Sequence, residues 1–214
     1  MISQLAVVET DRIGEQTVVH PFAVIRQGVV LGRRVVIHPH VVIEAGAELG
    51  DGVEVFPGSY IGKTPKGAGA TARPQIFEKA VTIGPHCAIG PHAVIYYDVR
   101  IGRNTLIGDG ASIREKVTIG EYCIVSRGVT VNYNSRIGSR TKIMDLSHIT
   151  GNCEIGDDVF ISVMVATTND AAIGKLAYDE ARVQGPRIGN GAAIGAMANL
   201  LPGINIGVGA VIGA

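Results

Sequence analysis

Aliphatic side chains recur at every sixth residue along most of this chain. From Ile13 the step passes Val19, Ile25, Leu31, Ile37, Ile43, Leu49 and Val55 to Ile61. From Ile83 it holds at fourteen positions through Ile161, and from Ile188 it passes Ile194, Leu200 and Ile206 to Ile212. All 28 of these positions are Ile, Val or Leu. If the aliphatic is position 1, position 5 is small, as at Thr17, Ala23, Val29 and Ala47, and position 2 is often Gly, as at Gly14, Gly32, Gly84 and Gly102. Position 4 is rich in Gly, Asn, Asp and His, the residues that tolerate a left-handed backbone.

Six residues are too few for a helical repeat and do not fit the roughly 3.6 residues of an α-helical turn. They fit a short strand followed by a corner, with position 1 pointing inward and position 5 filling a cramped corner. Three units close a triangular coil of 18 residues, and coils stack through backbone hydrogen bonds. The pattern therefore predicts an all-β, parallel β-helix of about nine coils. One coil cannot stand alone. A buried aliphatic side chain contributes about 1.5–3 kcal/mol, whereas ordering the backbone costs about 1–2 kcal/mol per residue. Cys87, Cys123 and Cys153 all fall on position 5 and read as small buried hydrophobes.

Two insertions interrupt the column, at about residues 63–80 and 168–186, within what reads as one domain over 1–214. A regular prism offers ridged faces without a pocket, so loops that fold back over a face are where a pocket is expected. The sequence stops at Val211-Ile212-Gly213-Ala214, within a repeat. A solenoid end is expected to need a polar cap or a covering partner.

Composition narrows the function. Lys+Arg and Asp+Glu are 19 each, giving a formal net charge of zero, and there is no basic stretch, which argues against nucleic-acid binding. No apolar run approaches the roughly 18 residues of a membrane span, and the start lacks the blocks of a signal peptide. A cytoplasmic protein without membrane insertion is expected. No C-x-x-C pair occurs among the three Cys, so neither a zinc site nor a disulfide framework is suggested.

These repeats resemble those of the hexapeptide-repeat acyltransferases. The resemblance implies a left-handed β-helix, a homotrimer, and an acyl-CoA or acyl carrier protein donor held between neighbouring subunits. Glu154-Ile155-Gly156-Asp157-Asp158-Val159-Phe160-Ile161-Ser162, Thr168-Asn169-Asp170 and Gly185-Pro186-Arg187-Ile188-Gly189 are similar to segments of the nucleotide-sugar N-acetyltransferases. There the final coils contact the pantetheine arm. By that likeness Gly195-Ala196 and, 18 residues on, Gly213-Ala214 form ledges for acetyl-CoA; charge and position alone make Lys175, Arg182 and Arg187 candidate partners for CoA or nucleotide phosphates. Ser147-His148-Ile149-Thr150-Gly151-Asn152-Cys153 resembles the active-site segment of the UDP-N-acetylglucosamine acyltransferases. That family carries its catalytic His where this chain has Gly151, but the upstream His of the segment survives as His148.

Acyl transfer needs a group to accept the acceptor's proton and donors for the tetrahedral oxyanion. Of the six His, His20 and His38 occupy position 2 one coil apart and read as structural, and His40, His86 and His92 sit at the corner position 4. His148 sits at position 6, facing outward, and is the candidate general base. The alternatives are Asp170 as base, or no protein base at all if the acceptor amine arrives unprotonated, and Asn169 and Asp170 are candidates to hold the acceptor sugar. The expected reaction moves an acetyl group from acetyl-CoA to the amino group of a nucleotide-linked sugar. The alternatives are transfer from acyl carrier protein, a non-catalytic β-helical scaffold, or a γ-carbonic-anhydrase-like metal protein. The last is disfavoured because the pair His86 and His92 lacks that family's spacing. No metal is expected.

Overall fold

Repeating aliphatics become a stack of very short strands joined by tight corners. The computed structural model describes residues 1–70 and 72–214; Thr71, in the first inserted loop, lies outside the described residues. Among the described residues, twenty-nine strands form three parallel sheets, the faces of a left-handed β-helical prism. Face 1 has ten strands, from Val18–Val19 to Val211–Ile212. Face 2 has ten, from Val7–Val8 to Asn199–Leu200, and face 3 has nine, from Val30–Leu31 to Asn205–Ile206. The register is one coil per step: Ile83 pairs with Ile101, Ile101 with Ile119, and Ile119 with Ile137. These side chains stack in a column that is at most 3% exposed.

The prism has about 11 turns, more than the nine expected. One addition lies before the six-residue pattern. Ile2 bridges to Val19 and Val8 pairs with Ile25, and the chain then reaches Ile13 in five residues, a step the pattern skips. The other is Thr167, which continues the step from Ile161 and takes an inward position in the strand Ala166–Thr167. It is 1% exposed. Its hydroxyl accepts from the Thr150 N–H at 2.7 Å and donates to the His148 carbonyl at 3.2 Å. Thr167→Val restores the repeat pattern yet leaves the buried Thr150 N–H without that partner. The expected outcome is a loss of about 1–3 kcal/mol in urea denaturation, where the repeat rule alone predicts a gain.

Position 4 is left-handed along the prism. His40, His86, His92, Asn134 and Asn152 have φ between 54° and 63°, and Phe22, Lys116, Leu146 and Met197 are left-handed too, at 60° to 64°. For residues other than Gly this region costs roughly 1–2 kcal/mol, so the stacked corner overrides local preference. The glycines of position 2 answer a different demand. A Cβ at Gly102 would lie 2.6 Å from the Gly120 carbonyl carbon of the next coil. Cys87, Cys123 and Cys153 are each 1% exposed, and burial pushes the Cys153 thiol up to about 11. The His20 and His38 rings stack at 5.2 Å.

Candidate functional site

Both inserted loops leave the prism at one edge. The first leaves face 2 after Tyr60–Lys63 and enters face 3 at Val81–Ile83. The second leaves face 2 after Ala166–Thr167 and enters face 3 at Arg187–Ile188. Their roots are five hydrogen-bonded steps apart in face 2, about 24 Å at the usual strand spacing. Along the edge between them runs one column of corner residues at 18-residue steps: Tyr97, Glu115, Tyr133, Gly151 and Asn169.

The first loop lies along this column. Phe77 stacks on Tyr97 with ring centroids 6.1 Å apart. Arg73 bonds Glu115 and places its guanidinium 3.7 Å from the centre of the Tyr133 ring. Arg114 binds the same carboxylate at 3.1 and 3.2 Å. Burial alone would raise the Glu115 pKa, but its own N–H and the two guanidiniums outweigh that and hold the carboxyl below the usual range. The Tyr133 ring occupies the space a side chain at Gly151 would take, since a Cβ there would lie 2.6 Å from the ring. Asn169 closes the column, donating to the Gly151 carbonyl at 3.1 Å and to the Tyr133 hydroxyl at 3.5 Å.

The second loop comes to meet the first. Tyr178 and Glu180 share a cavity of about 160 Å³ with Arg73, Lys116, Tyr133, Asn134 and Asn152. Asn134 and Asn152 also line an adjoining cleft of about 460 Å³, with Arg136, Glu154, Gln184, Arg187 and Asn205. The two make one polar trough along the edge. Asn134 donates to Asn152 at 2.8 Å, and Asn152 donates to the Val183 carbonyl at 2.6 Å, pinning the returning loop to the floor. Arg187 pairs with Glu154 at 3.5 Å, while Lys116 and Arg136 have no ion-pair partner among the described residues and leave the trough net positive.

Asn169 is thus part of the edge column, and Arg187 lines the trough. Asp170 lies at the start of the second loop, beside Tyr178 and Arg182. Its carboxylate accepts from the Gly174 and Ala172 N–H groups at 2.7 and 2.9 Å, which hold its pKa below the usual range. Lys175 is exposed on that loop, and Arg182 folds back on the loop, pairing with Asp179 at 3.5 Å. Gly195-Ala196 and Gly213-Ala214 do stack on successive coils, with the Gly195 N–H donating to Ile212. They follow face-1 strands and so belong to another edge, away from Arg187. His148 lies on face 2 between Thr130 and Ala166, half-buried, with Nδ1 2.7 Å from the Thr130 hydroxyl. Burial holds its pKa below that of an ordinary imidazole.

His86 and His92 lie on different edges, following strands of face 3 and face 1. No three His, Cys, Asp or Glu side chains are grouped to hold a metal ion among the described residues, nor is any helix there long and apolar enough to cross a membrane. Arg73, Glu115, Tyr133, Asn134 and Asn152 were not singled out by the repeat pattern. The 18-residue spacing of Asn134 and Asn152, and of Glu115 and Tyr133, is the signal that puts each pair on one edge.

The bacterial transferase hexapeptide model, of six repeats, matches residues 12–45, and the GMPPB C-terminal domain model matches residues 71–175. No curated protein sequence matches the chain. Among solved structures it is similar to the UDP-N-acetylglucosamine acyltransferase from Campylobacter jejuni, with 23% identity and a TM-score of 0.70 over 78% of this chain and 66% of that one. The enzyme of that name from Francisella novicida is 23% identical, with a TM-score of 0.62 over 94% of this chain and 62% of that one. The O-acyltransferase from Moraxella catarrhalis is 18% identical, with a TM-score of 0.56 over 79% and 67%. The chain spans less than two thirds of the length of the first two, and the likeness is one of fold. The resemblance to the hexapeptide-repeat superfamily that the sequence suggests agrees with the repeat match and with the β-helix.

Proposed function

We propose that this hexapeptide-repeat β-helix is an acyltransferase that moves an acetyl group from acetyl-CoA to the amino group of a nucleotide-linked sugar. One observation carries the reading: two loops rooted about 24 Å apart converge on a single polar, net-positive trough. An extended ligand with negative charge and many hydroxyls suits such a lining. The strand His148–Ile149 leads into Thr150, Gly151 and Asn152, so the candidate base lies on face 2, four residues before the Asn152 of the trough floor. In this reading His148 takes a proton from the acceptor nitrogen as that nitrogen attacks the thioester carbonyl. The tetrahedral intermediate collapses, the C–S bond breaks, and the thiolate leaves carrying the electron pair. Asn169 and Asp170 hold the sugar, while Gly195-Ala196 and Gly213-Ala214 offer ledges to the donor. A homotrimer acting in the cytoplasm fits this scheme, with the donor lying between copies.

A second reading, a longer acyl chain delivered by acyl carrier protein, is favoured by a row of exposed apolar side chains. Leu146, Met164 and Met197 stand on successive coils at the edge between faces 1 and 2 and are 65%, 46% and 64% exposed. Thiol release, followed with acetyl-CoA and longer-chain thioesters against a panel of nucleotide amino sugars, separates the two. Turnover with acetyl-CoA supports the first reading, turnover only with long chains supports the second, and none with any thioester removes both.

A further inference from the structure

The first loop is fixed to the prism by an unusual device, a carboxylate that is 0% exposed. Placing Glu115 at a corner costs several kcal/mol of hydration, which its partners must offset. Arg114 is its chain neighbour and a local partner. Arg73 is different, because it comes from 42 residues away across an insertion and its side chain is only 12% exposed. Arg73 is also committed on its other side, stacked on Tyr133, in a contact that adds attraction once water is excluded. So Arg73 is spent on holding its loop, and little of its charge faces a ligand. The segment it holds, with Pro74 and Ile76, forms one wall of the trough opposite Tyr178 and Glu180.

We infer that Glu115 is a positioning residue that, through Arg73, locks the first loop as a wall of the trough and thereby sets affinity for the nucleotide-sugar acceptor. This rests on the acyltransferase reading for its kinetic consequence, though the lock itself does not. Glu115→Gln keeps the shape and removes the charge, and Arg73→Met removes the partner from the loop side. Hydrogen–deuterium exchange on the full chain is expected to show residues 72–80 exchanging about tenfold faster or more in each variant. In steady-state assays the KM for the acceptor rises about tenfold, while kcat and the KM for the thioester stay within about twofold. A residue that served only stability would not divide the two KM values. The double variant is expected to be no worse than the poorer single one, because both changes break the same contact. Should Glu115→Gln fail to fold, Arg73→Met, on the surface loop, still decides the matter. Unchanged exchange over 72–80 overturns the lock, and faster exchange with an unaltered acceptor KM overturns its role in affinity. A wild-type protein that turns over no nucleotide sugar would instead overturn the functional reading, with exchange still reporting on the lock.

Discussion

His148→Ala is expected to lower kcat by about 10²–10⁴-fold, the usual loss when a general base is removed, with little change in either KM. The ring is suited to the task by position. Nδ1 is held by Thr130, and when its N–H donates to that hydroxyl the Nε2 lone pair is left for the acceptor. The half-buried setting favours the neutral ring, so the pKa falls below the usual imidazole value. The sign follows directly: the base is competent above its pKa and is lost as the pH drops through it. The acid limb of kcat/KM should therefore lie below about 6.5 and disappear in the alanine variant. Single-turnover and pH-rate measurements test both statements. Full kcat in His148→Ala would remove the residue as base and turn attention to Asp170. That carboxylate is a weaker base, because two backbone N–H groups stabilise its charged form.

Ile119→Ala should cost about 2–5 kcal/mol in stability, a consequence of both lost burial and the cavity left behind. Ile119 is 1% exposed and paired in register with Ile101 below and Ile137 above. Those neighbours are clamped by their own backbone pairing, so the hole cannot close by collapse. The loss falls in the middle of a stack in which each coil depends on the next. Lys142→Ala, on an outward position of face 1, is expected to change stability by no more than about 0.5 kcal/mol. Urea midpoints for the two variants give the comparison. A loss below about 1 kcal/mol at Ile119 would mean that the column is not a tightly packed core.

The column itself was legible in the sequence because burial recurs with the backbone: Ile101, Ile119 and Ile137 repeat at the spacing at which coils stack. Thr167 escaped the same reading because an aliphatic criterion cannot see a hydroxyl that satisfies a buried N–H. The first coil escaped because Val8 and Ile13 are five residues apart. The candidate base His148 was visible from its outward position in the repeat. Arg73 on Glu115 was not, since nothing in a six-residue period relates a loop residue to a corner 42 positions away. Asn134 and Asn152 read as turn formers, and they are, with φ of 54° and 63°. Their second role, joining through side chains to floor a trough, becomes plain only when both loops are seen to share an edge.

The shared edge makes the prism a kind of caliper. Its two jaws are mounted on the same rail, and the rail is graduated by the hydrogen-bond ladder, one notch for each turn of the chain. A β-helix that gained or lost one turn between the mounts would reset the gap by about 4.8 Å, never by a fraction of it. On such a scaffold, the size of the molecule that can be gripped is inherited in whole numbers.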